Sequence, residues 1–237
     1  MDTAFLREAM LLGPEAVERL AACHVIVFGI GGVGSYCAEA LARSGVGALT
    51  FVDDDVVGAT NLNRQLVALH STLGRPKAAV MAQRARDINP GCRVTALQAR
   101  YDAESSGRFF DGTRYDYVVD AIDLMSCKLH LIETCHRLAI PCLSACGTGN
   151  KLDAGRFRIA DLAETAGCPM ARVLRKELKA RGIVHHTVLY SDELPRTPLP
   201  LEAPPPGRRS LPASVAWVPP AAGLMMAGHV VQQLIAE

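Results

Sequence analysis

Residues 24–35, His-Val-Ile-Val-Phe-Gly-Ile-Gly-Gly-Val-Gly-Ser, constrain the fold more than any other stretch of the chain. Residues 25–28 are a short β-branched and aromatic run, which predicts a buried strand. Gly29, Gly31, Gly32 and Gly34 follow at once, and residues 36–43 then read as a helix rich in Ala and Leu. A strand, a glycine turn and a helix in that order place a phosphate at a helix N-terminus. There the first-turn N–H groups and the helix dipole favour negative charge. The spacing Gly29-x-Gly31-x-x-Gly34 fits a dinucleotide fingerprint. A plain structural βα turn has the same form, and the pattern does not say which nucleotide binds. The expected class is α/β, a Rossmann-like, mostly parallel sheet with helices on both faces.

Residues 49–52 predict a second strand, ending in Asp53-Asp54-Asp55. Asp53 lies about twenty residues past the turn, where such folds hold a ribose hydroxyl. Residues 58–77 then depart from a dehydrogenase pattern. The stretch is polar and offers Asn61, Asn63, Arg64, Gln65 and Lys77, donors suited to phosphate oxygens. The bland alternative is a solvated loop. A helix is expected over 77–88, a strand over 93–97 and a short helix over 103–112. Residues 117–123 read as another buried strand ending in Asp120 and Asp123. Parallel strands point their C-termini at the ligand, so Asp123 faces the glycine turn either as a magnesium ligand or as the N-cap of helix 126–138.

Further strands are expected at 140–144, at 156–159 as an edge, and at 183–190. Helix 168–181 carries Arg172, Arg175, Lys176 and Lys179 on one face, which is a solvated stripe or a phosphate-backbone patch. Residues 195–212, Pro-rich with Arg208-Arg209, read as a loop. The apolar segment 215–235, interrupted by Pro219-Pro220, reads as a helix packed on the sheet. Residues 4–20 predict one or two short helical pieces, with Gly13-Pro14 as the joint. Arg7, in the first piece, reads by itself as a surface charge.

The net charge of +1 excludes whole-molecule electrostatic binding to nucleic acid, so any such contact must be a local patch. Asp2, Arg7, Glu8, Glu15, Glu18 and Arg19 interrupt the first twenty residues and predict no secretory leader. None of the eight cysteines forms a Cys-x-x-Cys pair, which favours reduced core thiols over zinc ligands.

Taken together, Val27-Phe-Gly-Ile-Gly-Gly-Val-Gly-Ser35, Val52-Asp-Asp-Asp55, Thr60-Asn-Leu-Asn-Arg-Gln65, Gly74-Arg-Pro-Lys77 and Asp120-Ala-Ile-Asp123 resemble the ThiF/MoeB superfamily of ubiquitin-activating-enzyme-like adenylyltransferases. The remaining stretches resemble the branch that dehydrates threonylcarbamoyladenosine next to the anticodon of tRNA. These are Phe5-Leu-Arg7, Ala40-Leu-Ala-Arg-Ser-Gly-Val-Gly47, Gly147-Thr-Gly-Asn-Lys151, Cys168-Pro169 with Arg175-Lys-Glu-Leu-Lys179, and the tail 212–228. The resemblance implies an adenylation fold that binds ATP and Mg2+. Gly32 lies at the phosphates, Asp53 at the ribose, residues 60–64 and Lys77 at the triphosphate, and Asp123 on the magnesium. Gly29, Gly31, Gly34, Asp55, Thr60, Gln65 and Leu124 line the same site.

It also implies that Arg7 is an arginine finger reaching the ATP of the other subunit in a homodimer. The chain then divides into a helical arm (1–22), a nucleotide-binding core (23–165) and a segment holding the basic helix, the Pro-rich crossover and the C-terminal helix (166–237). Modified tRNA is the expected partner, bound through the basic helix, and no zinc is expected. The resemblance allows a sulfur-relay protein, a structural Na+ or K+ beside the 145–151 loop, and a cytoplasmic enzyme touching membrane through its apolar tail. Residues 211–237 lack the cysteine that some branch members carry, which leaves Cys168 as the exposed-loop thiol. The competing activity is adenylation of the C-terminal glycine of a sulfur-carrier or ubiquitin-like protein.

Overall fold

The computed structural model describes residues 3–201 and 212–236. Seven strands form one sheet: β1 (His24–Phe28), β2 (Ala48–Val52), β3 (Arg93–Leu97), β4 (Tyr117–Asp120), β5 (Cys142–Ala145), β6 (Phe157–Asp161) and β7 (Thr187–Ser191). Their order is β3-β2-β1-β4-β5-β7-β6. Every pair is parallel except the edge pair β6–β7.

The period-2 pattern of β1 sorts its side chains between two cores. Val25 and Val27 enter a cluster with Leu41, Phe51 and Met226, whereas Ile26 and Phe28 enter one with Phe109, Val118 and Leu131. On the first face lie α2 (Pro14–Ala22), α3 (Gly34–Arg43), α4 (Lys77–Ile88) and α8 (Val218–Ile235). On the other lie α5 (Gly107–Phe110) and α6 (Met125–Leu138), with α7 (Pro169–Ala180) packed on α6. The N-terminal α1 (Leu6–Leu12) turns into α2 at Gly13, which adopts a φ of 90° just before Pro14.

Several expected boundaries move: β7 starts at Thr187 rather than 183, and α5 shrinks from 103–112 to Gly107–Phe110. Strand β4 stops at Asp120 rather than 123. Helix α8 begins before the two prolines, not after them. Pro219 and Pro220 lie in its first turn, where a missing N–H leaves no hydrogen bond unmade. Most apolar residues of α8, among them Val218, Ala222, Met226 and Val230, are packed, while Leu224 and Met225 are exposed. Gly223 approaches α3 so closely that a Cβ there would sit 2.3 Å from the Val33 carbonyl oxygen. Among the described residues no helix is long and apolar enough to cross a membrane. Arg208 and Arg209 lie outside the described residues.

Candidate active site

The strand order reverses between β1 and β4, because the chain builds outward through β2 and β3 and then returns to the other side. Open α/β sheets bind ligands at such a switch point, beyond the strand C-termini. Here the two loops at that point are the glycine turn and residues 121–124. They touch: Gly29 has a φ of 87°, and a Cβ on it would lie 2.7 Å from the Ala121 carbonyl oxygen. A Cβ on Gly34 would lie only 1.8 Å from the Gly29 carbonyl oxygen. Only glycine closes this turn onto the start of α3.

Asp53 braces the turn. One carboxylate oxygen accepts the Ile30 amide at 2.6 Å and the other the Asp55 amide at 2.9 Å. Burial raises its pKa, opposed by Lys77 and the two amides. Lys77 opens α4 and is 4% exposed, and its ammonium donates to Asp55 at 2.7 Å. The Asp55 side chain is 67% exposed, so the pair consists of a buried cation and an anion open to solvent.

The 58–77 stretch is a loop with two short 3-10 turns. Asn61 caps it by accepting the Gly58 amide at 3.0 Å. Arg64 Nη1 donates to the carbonyl of Thr60 and to Asn63 Oδ1, each at 2.8 Å. The half-buried Arg64 side chain lies against the turn through its stem, Cγ being 3.7 Å from where a Gly32 Cβ would be. Burial lowers its pKa from the usual arginine range. Gln65 is buried, with Nε2 toward Gly31, and its Oε1 is a buried oxygen without a hydrogen-bond partner. An orphaned amide oxygen beside an open glycine cradle fits a site that a polar ligand completes.

The Asp120 carboxylate is fully buried. It pairs with the equally buried Lys128 of α6 at 2.7 Å and accepts the Ile122 amide at 3.0 Å. That ties the 121–124 loop to the strand end. Asp123 is exposed on this loop and Leu124 is the N-cap residue of α6, so Asp123 does not cap that helix.

The C-terminal segment forms a further wall. Pro219 packs over Gly32, and a Cβ there would be 3.0 Å from the proline Cβ. Asn63 Nδ2 donates to the Ser214 carbonyl at 3.0 Å. Asn150 and Ala213 exchange two hydrogen bonds, and Trp217 Nε1 donates to the Leu152 carbonyl at 2.8 Å. Residues 212–219 thus link the 60–65 loop to the loop after β5.

Contacts join the glycine turn to Asp53, Asp55 and Lys77 on one side and to Arg64 and Gln65 on the other, with Thr60, Asn61 and Asn63 on the same loop as Arg64, and Asp123 and Leu124 on the loop whose Ala121 meets Gly29. Arg7 lies apart, exposed on α1. On α7, Arg172, Lys176 and Lys179 are exposed, but Arg175 departs from the expected basic face. It is half-buried and donates to the carbonyls of Leu162 and Thr165, because it reaches the turn that precedes the helix. Cys168 also differs from the expected exposed thiol: it is the buried N-cap residue of α7. Lys128 escaped the sequence reading, although it falls three and four residues before Leu131 and Ile132 on the buried stripe of α6. The Pro219 wall had no sequence signal. A separate cavity of about 580 Å³ lies between α4 and the 66–75 loop, lined in part by Leu66, Thr72, Arg75 and Gln83, away from the glycine turn.

Among solved structures the chain resembles the Escherichia coli tRNA N6-threonylcarbamoyladenosine dehydratase in complex with ATP. The match has a TM-score of 0.87 and 35% identity, covering 98% of this chain and 93% of that one. The complex of that dehydratase with AMP matches with the same score and identity. Among curated proteins it is similar to the tRNA threonylcarbamoyladenosine dehydratase of Bacillus subtilis (strain 168). The two are 45% identical over 245 residues, 98% of this chain and 95% of that protein. The ThiF family profile matches residues 5–237, and the chain belongs to the ThiF family.

Proposed function

We propose that the protein is an ATP-dependent dehydratase of threonylcarbamoyladenosine in tRNA, closing the modification into a ring. The observation that carries this reading is the cationic wall beside the glycine turn, formed by a buried Lys77 ammonium and a half-buried Arg64 guanidinium. A dinucleotide site has no use for two desolvated cations there, whereas a departing pyrophosphate does.

In this reading ATP would lie along the turn, with its phosphates at Gly31–Gly34 and its ribose at Asp53. Asn61, Asn63 and Gln65 offer amide groups to the polar edge of the nucleotide. The threonyl carboxylate of the modified adenosine attacks the α-phosphate, the bond to the β-phosphate breaks, and pyrophosphate leaves with its charge against Arg64 and Lys77. A neighbouring nucleophile of the same modification then attacks the acyl-adenylate carbonyl, and AMP departs. That nucleophile is held at high effective concentration, so an enzyme cysteine is not required.

Asp123 is the carboxylate that would hold magnesium. Among the described residues no three His, Cys, Asp or Glu side chains converge on a metal, so phosphate oxygens and water would complete its shell. When bound, magnesium would neutralise phosphate charge. Arg7 would reach the crevice of a second copy, which makes the enzyme a homodimer. The strongly exposed Met10 and Leu11 of α1 support this as a surface to be covered. Arg172, Lys176 and Lys179 would contact tRNA phosphates. A sodium or potassium ion beside the 145–151 loop, a sulfur-relay partner and a cytoplasmic location belong to the same proposal.

The test is to incubate the protein with ATP, magnesium and tRNA carrying the modification, then digest and weigh the nucleosides. Loss of one water with release of AMP and pyrophosphate is expected. Unchanged modified nucleoside with ATP intact refutes the reading.

A further inference from the structure

Asn63 joins two parts of the chain that lie 151 residues apart. Its Nδ2 donates to the Ser214 carbonyl at 3.0 Å, and its Oδ1 accepts from Arg64 Nη1 at 2.8 Å. A guanidinium only donates and a peptide carbonyl only accepts, so one orientation of the amide alone serves both neighbours. Arg64 Nη1 is held a second time by the Thr60 carbonyl at 2.8 Å. Among the described residues no hydrogen bond is made by Arg64 Nε or Nη2. One edge of the guanidinium is thus fixed to its own loop, and the rest is left for an anion.

The Ser214 side of this bridge is anchored independently. Ala213 exchanges two hydrogen bonds with Asn150, and Trp217 Nε1 donates to the Leu152 carbonyl. Pro212 lies where a Gly149 Cβ would come within 2.9 Å of it, and Pro219 covers Gly32 in the same way at 3.0 Å. Residues 212–219 therefore form a strap from the loop after β5 to the glycine turn, and Asn63 bonds to it between these anchors. Two features of the seat run against local preference. Asn150 has a φ of 61°, in the left-handed region, and Ser214 Oγ is buried without a hydrogen-bond partner. Costs of this kind persist where the surrounding contacts impose them, and they collect at functional sites.

We propose that Asn63 is a positioning residue: held from behind by the strap, it presents the Arg64 guanidinium to the departing pyrophosphate. The inference rests on the reaction proposed above for the role of Arg64, whereas the bonds around Asn63 do not depend on it. An arginine side chain has many rotamers, and fixing one edge of its head in advance reduces the freedom that must be lost when charge develops beside it. The benefit therefore falls on the chemical step more than on the binding of ATP. One N–H of the Asn63 amide is left over, so this role adds to its place at the nucleotide. The strap is also bonded to residues 150 and 152, so a shift in the loop after β5 would reach Arg64 through Asn63.

The experiment uses the full chain with ATP, magnesium and tRNA carrying the modification, and reads AMP release against ATP concentration. Asn63→Ala should lower kcat about tenfold and leave KM for ATP within about twofold. In the same variant, amides 213–217 should exchange faster with deuterium in the absence of any substrate. Arg64→Ala should be slow by itself, and adding Asn63→Ala to it should lower kcat by less than about twofold more, because the group to be positioned is gone. Asn150→Gly keeps the left-handed backbone and removes the side-chain bond to Ala213. It should loosen the same amides and lower kcat only where Asn63 is intact. A purely structural Asn63 would lower kcat equally with and without Arg64, and that result overturns the proposal. Exchange at 213–217 unchanged by Asn63→Ala overturns it as well. If the wild type releases no AMP, the reading of the reaction fails, and the exchange measurement still decides whether Asn63 holds the strap.

Discussion

Replacing Lys128 with methionine tests whether the crevice is held in shape by a buried charge pair. Lys128 and Asp120 both have fully buried side chains, 2.7 Å apart. Methionine keeps the length and packing of the lysine stem, so the loss is mainly electrostatic. Removing one partner from such a pair leaves the other charge uncompensated and costs about 3–5 kcal/mol. For a chain of this size each kcal/mol moves the melting temperature by about 2–4 °C, so a fall of about 6–20 °C is expected. Asp120 keeps its bond from the Ile122 amide, which directs most of the damage to the 121–124 loop and the neighbouring Gly29. ATP binding measured by calorimetry should therefore weaken along with the melting temperature. Adding Asp120→Asn should restore part of the stability, because asparagine still accepts the Ile122 amide without a stranded charge. The reasoning fails if Lys128→Met melts within about 2 °C of the wild type, a shift of under about 1 kcal/mol, or if the double variant is less stable than the single one.

Three further outcomes are expected. Lys77→Met should lower the rate of AMP formation by about 10²–10³-fold, the usual loss when one charge-stabilising donor is removed, as measured in a coupled pyrophosphate assay. Burial holds His186 at about 3, below its ordinary 6.5, with Ser144 Oγ bonded to its Nε2 at 2.9 Å. The folded state therefore refuses a proton that the unfolded chain accepts below 6.5. Stability is full above that pH and falls toward pH 3 by up to about 1.4 kcal/mol per unit. His186→Gln should flatten this slope between pH 6.5 and 5 in urea titrations. Removing Lys176 or Lys179 should reduce the salt slope of tRNA binding by roughly 0.7–0.9 each, whereas Arg175→Ala should lower stability and leave that slope unchanged.

The elements with the clearest local pattern were legible in the sequence. Helix 77–88 and strand 93–97 occur as expected, and the glycine turn follows β1 where the spacing put it. The misreadings come from tertiary context. The apolar run through residue 123 looked like strand, but Asp120 turns inward to Lys128 and the chain leaves the sheet there. The prolines of α8 looked like an interruption because local rules do not distinguish a helix interior from a first turn. Arg175 sits on a periodic basic stripe, yet the carbonyls it binds come from a turn that periodicity cannot place. The candidate site was readable as far as its residues fall in short local motifs, at 29–34, 53–55, 60–65, 77 and 121–124. The wall from 212–219 was not, because it returns about 180 residues after the turn that it covers.

In the proposed reaction, the resting ion pair of Lys77 would let a buried cation wait for a triphosphate. An ammonium alone in this position would be strongly unfavourable, and a partner as buried as Lys128 has would make it unavailable. Asp55 avoids both outcomes: it neutralises Lys77 at 2.7 Å while keeping most of its own surface in water. A phosphate arriving there, as the proposal has it, would exchange one anion for another, the desolvation of the lysine having already been met in folding. The carboxylate that is displaced returns to solvent with little loss, whereas release of Asp120 from Lys128 would strand two buried charges. The difference in exposure between Asp55 and Asp120 separates a cation that can act on substrate from one that can only hold the scaffold. The unpartnered Gln65 oxygen follows the same logic, since in the proposed reading it too would gain a partner when the crevice fills.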